Sequence, residues 1–90
     1  MKIMQKPRFE KAIKKLHQNQ KADVKKAIEA IVLDPEIGQM KKGDLEGVRV
    51  HKFKMVKQEI LLAYTYEDEI ITLTLLNIGS HENFYRDLKR

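Results

Sequence analysis

At 90 residues, with 18 Lys and Arg against 13 Asp and Glu and a formal charge of +5, the chain has room for one compact domain around a modest core. It holds no Cys and no Trp, which excludes a disulfide scaffold, a thiol nucleophile and thiolate zinc sites. No apolar run approaches the roughly 20 residues of a spanning helix, and the stretch MKIMQKPRFEKAIKK lacks a signal peptide's apolar middle, so the sequence predicts a cytoplasmic protein that is neither inserted in a membrane nor exported.

Residues 1–5 alternate briefly between polar and apolar and predict a short opening strand, after which Pro7 suits the first turn of a helix. Phe9, Ala12, Ile13 and Leu16 fall at i, i+3, i+4 and i+7 with Lys11, Lys14 and Lys15 turned away, which predicts an amphipathic helix over 8–17. Gln18, Asn19 and Gln20 read as the break. Val24, Ala27, Ile28 and Ile31 repeat the spacing over 21–33, until Pro35 forbids helical backbone at Asp34. So short a turn between two helices predicts an antiparallel hairpin. Residues 36–46 hold Gly38, Gly43 and Asp44 and read as a loop that can rest on the core through Met40 and Leu45.

After Gly47 the period changes from 3.6 to 2. The runs 48–55, 60–66 and 70–78 are rich in β-branched and aromatic residues and are separated by the polar connections 56–58 and 67–69, which predicts a three-stranded antiparallel meander. Gly79 closes it, and Ser80 can cap a final short helix with Glu82 early and Lys89 and Arg90 late. The order β-α-α-β-β-β-α is an α+β fold: an antiparallel sheet with an N-terminal helical hairpin packed on one face and the other face available. By parity, Phe53, Met55, Ile60, Leu62, Tyr64 and Tyr66 form the core side. Lys52, Lys54, Glu59, Ala63, Thr65, Thr72 and Thr74 lie opposite, a small, polar and cationic face. Val48 and Val50 share the lysines' parity and predict a bulge in that strand or cover at that end.

Charge is segregated: residues 1–57 carry 15 basic and 7 acidic side chains, and residues 58–90 carry 3 and 6. A basic half of this kind fits an anionic partner, either nucleic acid or an acidic protein segment, and equally fits a mildly basic surface kept for solubility. Lys52 and Lys54 stand about 7 Å apart on one strand face, comparable with successive phosphates of a nucleic-acid strand; lysines on an exposed strand also guard against aggregation. His81 follows Gly79 and Ser80, and Tyr85 lies one helical turn on, so an imidazole able to act as general acid or base sits beside a ring able to stack a base. The plainer reading makes His81 a cap and Tyr85 a packing residue. His17 reads as a dipole-satisfied residue near a helix C-terminus and His51 as core-side. No pair of histidines has metal-ligand spacing and no Gly-rich phosphate loop occurs, so neither metal nor cofactor is predicted.

The stretches "LEGVRVHKFKM" and "LLAYTY", in this element order, resemble the RelE/ParE superfamily of toxins from bacterial type II toxin-antitoxin modules, and the resemblance runs over essentially the whole chain. It implies a growth-inhibiting toxin neutralised by a cognate antitoxin. RelE-like members cut messenger RNA on the ribosome without metal, the ribose 2′-hydroxyl attacking the adjacent phosphate; ParE-like members poison DNA gyrase. By that resemblance Lys52 and Lys54 match a lysine pair that neutralises charge on the phosphate, Tyr85 a C-terminal aromatic, and Gly79-Ser80-His81 a YafQ-like motif whose histidine is the general acid. Glu59 falls near the acidic proton acceptor of that subgroup. The middle-strand arginine of RelE-like enzymes is replaced by Leu61, and the arginine after the glycine by Ser80 and His81, which leaves the YafQ-like set or an incomplete one. Ribosome-dependent cleavage is therefore set against a gyrase poison and against an inactive toxin kept as an antitoxin-binding partner. The resemblance also implies an acidic antitoxin segment that folds over the basic hairpin, with Arg8, Lys11, Lys14, Lys15, Lys25 and Lys26 as its contacts.

Overall fold

The computed structural model of the protein describes residues 1–43 and 46–78, and for residues 77 and 78 the backbone alone. Strand β1 (Lys2–Gln5) leads to helices α1 (Pro7–Lys14) and α2 (Gln18–Leu33), then to strands β2 (Gln39–Met40), β3 (Arg49–Met55), β4 (Gln58–Glu67) and β5 (Ile70–Ile78). The sheet order is β1-β5-β4-β3-β2. The meander β3-β4-β5 is antiparallel, as the alternation predicts, and β1 joins its β5 edge in parallel, Ile3 beside Ile71. The fold is α+β, with the helices on one face. The final helix predicted after Ser80 lies outside the described residues, as do Asp44 and Leu45.

Helix α1 starts at Pro7, which has no N–H to lose, and buries Phe9 against the sheet. The break between the helices falls at residues 15–17 rather than at 18–20. Lys15 and Leu16 close the first helix with bonds to the Ala12 and Ile13 carbonyls, and Leu16 drops into the core. His17 then stands as the N-cap of α2, not near the C-terminus of α1, and its N–H donates to Gln20 Oε1 at 2.8 Å. That reach back by the third helical residue is half of a capping box, so the polar Gln18, Asn19 and Gln20 are a helix start. Val24, Ala27 and Ile31 are buried from α2, with Ile28 half-buried beside them. The helix stops at Leu33 because Asp34, ahead of Pro35, takes extended backbone (φ −145°, ψ 88°).

The main core lies between helices and sheet: Phe9, Leu16, Val24 and Ile31 meet Met55, Ile60, Leu62, Tyr64, Ile71, Leu73 and Leu76. One correction concerns the sheet's other face. Its centre is not open: Val50, Leu61 and Ala63 are buried there with Val48 and Leu75 packed against them, a second apolar cluster. Of the bulge or cover expected at Val48 and Val50, cover is what occurs, and the bulge lies in β5, where Ala63 pairs with Leu75 and Tyr64 with Leu73, so Thr74 is the extra residue. The bulge lets Leu73 and Leu76, three apart, share the helix side, and Thr74 Oγ1 donates to the Ala63 carbonyl at 3.0 Å. Within the loop expected over 36–46, two residues form the edge strand β2, Gln39 opposite Val50 and Met40 opposite Arg49.

Candidate functional site

Three regions carry chemistry, and the first is the far face of the β3-β4 hairpin. Seven-residue β3 pairs along its whole length with β4, and the register sets Lys54 directly opposite Glu59 and Lys52 opposite Leu61. Directly opposed residues of an antiparallel pair share a face with Cβ atoms about 5 Å apart. Two ammonium groups and one carboxylate therefore stand on one exposed patch, bordered by the buried Leu61 at 1% exposure. The patch can hold a phosphate between the lysines with a carboxylate base at its edge. The structure thus groups Lys52, Lys54 and Glu59; His81 and Tyr85 lie outside the described residues. Among the described residues no cluster of three or more His, Asp and Glu has a metal-binding arrangement.

His51, on the opposite side of β3 from the lysines, stacks on Phe53 with ring centroids 6.1 Å apart and planes 18° from parallel. Burial depresses its pKa below the ordinary histidine value, so its neutral, apolar form is favoured. This matches its core-side parity and separates it from the patch of Lys52, Lys54 and Glu59.

The second region is a groove of about 570 Å³ between α1, α2 and β1. Its floor is apolar, with Phe9, Ile13, Val24 and Ile28, and Leu33 stands 88% exposed at one end. Lys21, Lys25 and Glu29 edge it. Of the cations expected to meet an antitoxin, Arg8, Lys11, Lys14, Lys15, Lys25 and Lys26 are all exposed on α1, α2 and the turn between them, and Lys25 lines the groove itself. Lys21, which the sequence reading left out, lines it too; its place one turn before Lys25 was the available signal.

The third region is a polar hub that secures the chain after α2. The buried Tyr64 hydroxyl donates to the Pro35 carbonyl at 2.7 Å and accepts from the Gly38 N–H at 2.9 Å. Arg49 donates to the carbonyls of Gly38 (3.0 Å) and Glu36 (3.3 Å) and faces the Glu36 carboxylate at 3.9 Å. A Cβ on Gly38 would stand 2.7 Å from the Tyr64 oxygen, so only glycine fits there. The hub fixes where β2 meets β3.

Among the described residues, a five-stranded sheet with two helices on one face defines a small α+β protein. A family model described as the ParE-like toxin of type II bacterial toxin-antitoxin systems matches residues 3–89, and the chain belongs to that family. It is a type II toxin of RelE/ParE type. Solved structures share its fold. A chain of the intact E. coli RelBE toxin-antitoxin complex is 18% identical, covering 89% of this chain and 98% of that one at a TM-score of 0.70. The isolated E. coli RelE toxin is 18% identical, covering 97% and 93% at 0.69. A RelE mutant bound to a peptide of the antitoxin RelB is 16% identical, covering 99% and 94% at 0.70. No curated protein sequence matches the chain.

Proposed function

We propose that this toxin arrests growth by cleaving messenger RNA on the ribosome and is neutralised by a cognate acidic antitoxin. The observation that carries the reading is the grouping of Lys52, Lys54 and Glu59 on one exposed patch of the β3-β4 hairpin, Lys54 and Glu59 directly cross-strand. In the reaction, Glu59 accepts the proton of a ribose 2′-hydroxyl and the 2′-oxygen attacks the adjacent phosphorus. The bond from phosphorus to the 5′-oxygen breaks, His81 protonates that leaving oxygen, and the products are a 2′,3′-cyclic phosphate and a 5′-hydroxyl. Lys52 and Lys54 balance the negative charge that grows on the phosphoryl oxygens between them. Tyr85 stacks on a neighbouring base.

A second reading, a non-catalytic poison of DNA gyrase, draws on Leu61. RelE-like enzymes carry an arginine at this middle-strand position, and here the side chain is apolar and buried among Val50 and Ala63. Induction of the chain in cells, with transcript ends mapped, separates the two. Cuts within codons that vanish in His81→Ala and in the double variant Lys52→Ala, Lys54→Ala support cleavage. Intact transcripts with an induced DNA-damage response support the gyrase reading.

For the antitoxin, the groove between α1, α2 and β1 offers the apolar floor and lysine rim that an acidic amphipathic helix requires. Such a helix lays its apolar residues on Phe9, Ile13 and Ile28 and its carboxylates towards Lys21 and Lys25.

A further inference from the structure

The tip of the β3-β4 hairpin is held from outside the sheet. Met55 and Gln58 form the last pair of the ladder and leave Val56 and Lys57 as a two-residue turn. Such turns place one or both central residues at positive φ and favour glycine, asparagine or aspartate there. Here the first central residue is a β-branched valine at φ 62°, and strained backbone of this kind persists only where the surroundings fix it. On one side of the turn, Met55 is sunk in the core at 1% exposure. From the helical layer, Asp23 of α2 reaches the turn itself: its Oδ2 accepts from the Val56 N–H at 2.6 Å. A bond to a carboxylate is shorter and about twice as strong as one between neutral groups.

Asp23 is the sixth residue of α2, beyond the first turn in which an acidic side chain serves the helix dipole. It is half-buried, and its bond to Val56 joins positions 33 apart in the chain. The start of the same helix borders the hairpin, where His17, Asn19 and Gln20 line a small cavity with Val56, Lys57 and Gln58. Lys54 and Glu59 are the next cross-strand pair after Met55 and Gln58, so a tilt of the tip moves both groups. We infer that Asp23 is a positioning residue for RNA cleavage: its carboxylate ties the turn to α2 and so holds Lys54 and Glu59 in the orientation that the phosphate and the 2′-hydroxyl require. The inference rests on messenger RNA being the substrate of the hairpin patch, and Asp23 acts through the hairpin rather than on the RNA. A misplacement of about 1 Å at reacting groups costs about 10²-fold in rate, so one tether of this kind controls the rate through geometry alone.

The full chain is compared with its variants Asp23→Ala and Asp23→Asn, the asparagine keeping an acceptor oxygen at the same reach, at a temperature well below the thermal midpoint of all three. Amide exchange on the ¹⁵N-labelled proteins reads the tether without a ribosome. In Asp23→Ala the Val56 amide should speed up at least tenfold more than the core amides of Leu62 and Leu73. Single-turnover cleavage of a message on programmed ribosomes reads the consequence. The rate constant at saturating toxin should fall about tenfold to 10²-fold in Asp23→Ala, with the half-saturating concentration changed less than twofold, and Asp23→Asn should return to within about threefold of the wild-type rate. An unchanged Val56 amide in Asp23→Ala, a cleavage rate within twofold of wild type, a loss confined to the half-saturating concentration, or a loss that asparagine does not restore would each overturn the positioning role. A wild-type chain that leaves the message uncut removes the reaction and the inference with it. That outcome is distinct from a wild-type chain and an Asp23→Ala variant that cut equally well, which overturns the role of Asp23 alone.

Discussion

Tyr64 joins the sheet to the loop that follows α2, and its hydroxyl is used twice, as donor to Pro35 and as acceptor from Gly38. Burial raises its pKa, and ionisation would remove the donor. Tyr64→Phe keeps the ring volume but leaves a buried N–H and carbonyl without their partner, a loss of about 1–3 kcal/mol. Urea denaturation should show that loss as a lower midpoint with an unchanged slope; an unchanged midpoint would mean that water replaces the hydroxyl. Little of this was legible beforehand. Gly38 reads as a loop glycine and Tyr64 as a core aromatic, and a contact across 26 positions leaves no trace in local periodicity. His51 was legible, because the parity that places Phe53 inward places it inward too. Its depressed pKa fixes a sign: the unfolded chain takes up the proton more readily, so folding stability falls as pH drops below about 6.5 towards the folded value, and no such loss occurs above it. His51→Gln should flatten the decline between pH 7.5 and 5.5, as followed by urea midpoints at each pH; an unchanged slope would assign the decline to other groups.

Among the elements, the helices and the meander follow from periods of 3.6 and 2, which need only the local pattern. The bulge at Thr74 does not, because Leu73, Leu75 and Leu76 are equally apolar and only the pairing with Ala63 and Tyr64 decides which faces inward. The open face was misread for the same reason: its lysines and threonines are local facts, whereas the cluster of Val50, Leu61 and Ala63 is assembled across strands. Turn chemistry offers a test at this scale. The β3-β4 turn puts Val56 at φ 62°, where a β-branched residue is strained, while its N–H donates to Asp23 Oδ2 at 2.6 Å. Left-handed backbone costs an ordinary residue about 1–2 kcal/mol. Val56 is 53% exposed, so little burial is lost on removing its side chain. After the entropy that glycine adds to the unfolded chain, Val56→Gly should stabilise the fold by about 1 kcal/mol, raising the thermal midpoint by several degrees. A lower midpoint would show that the isopropyl group packs usefully on the hairpin.

Across the described residues, exposed basic side chains collect on the helices around the groove and again on the β3-β4 hairpin of the sheet. Separate placement of these two basic regions implies separable functions. Lys21→Glu combined with Lys25→Glu should weaken antitoxin binding by at least tenfold and reduce its salt dependence, while leaving growth arrest intact when the antitoxin is absent. Calorimetry at two ionic strengths measures the first, and plating after induction the second; loss of growth arrest in this variant would contradict the separation. The grouping of Lys52, Lys54 and Glu59 carries the central claim, and it is tested most directly on purified components. Ribosomes programmed with an end-labelled message are incubated with the toxin, with its double variant Lys52→Ala, Lys54→Ala, and in parallel with DNA gyrase and relaxed plasmid. Expected are cuts inside the ribosome-bound codon that end in a 2′,3′-cyclic phosphate, reduced by about 10²–10³-fold or more in the variant, with supercoiling unaffected. An uncut message together with arrested supercoiling would contradict it.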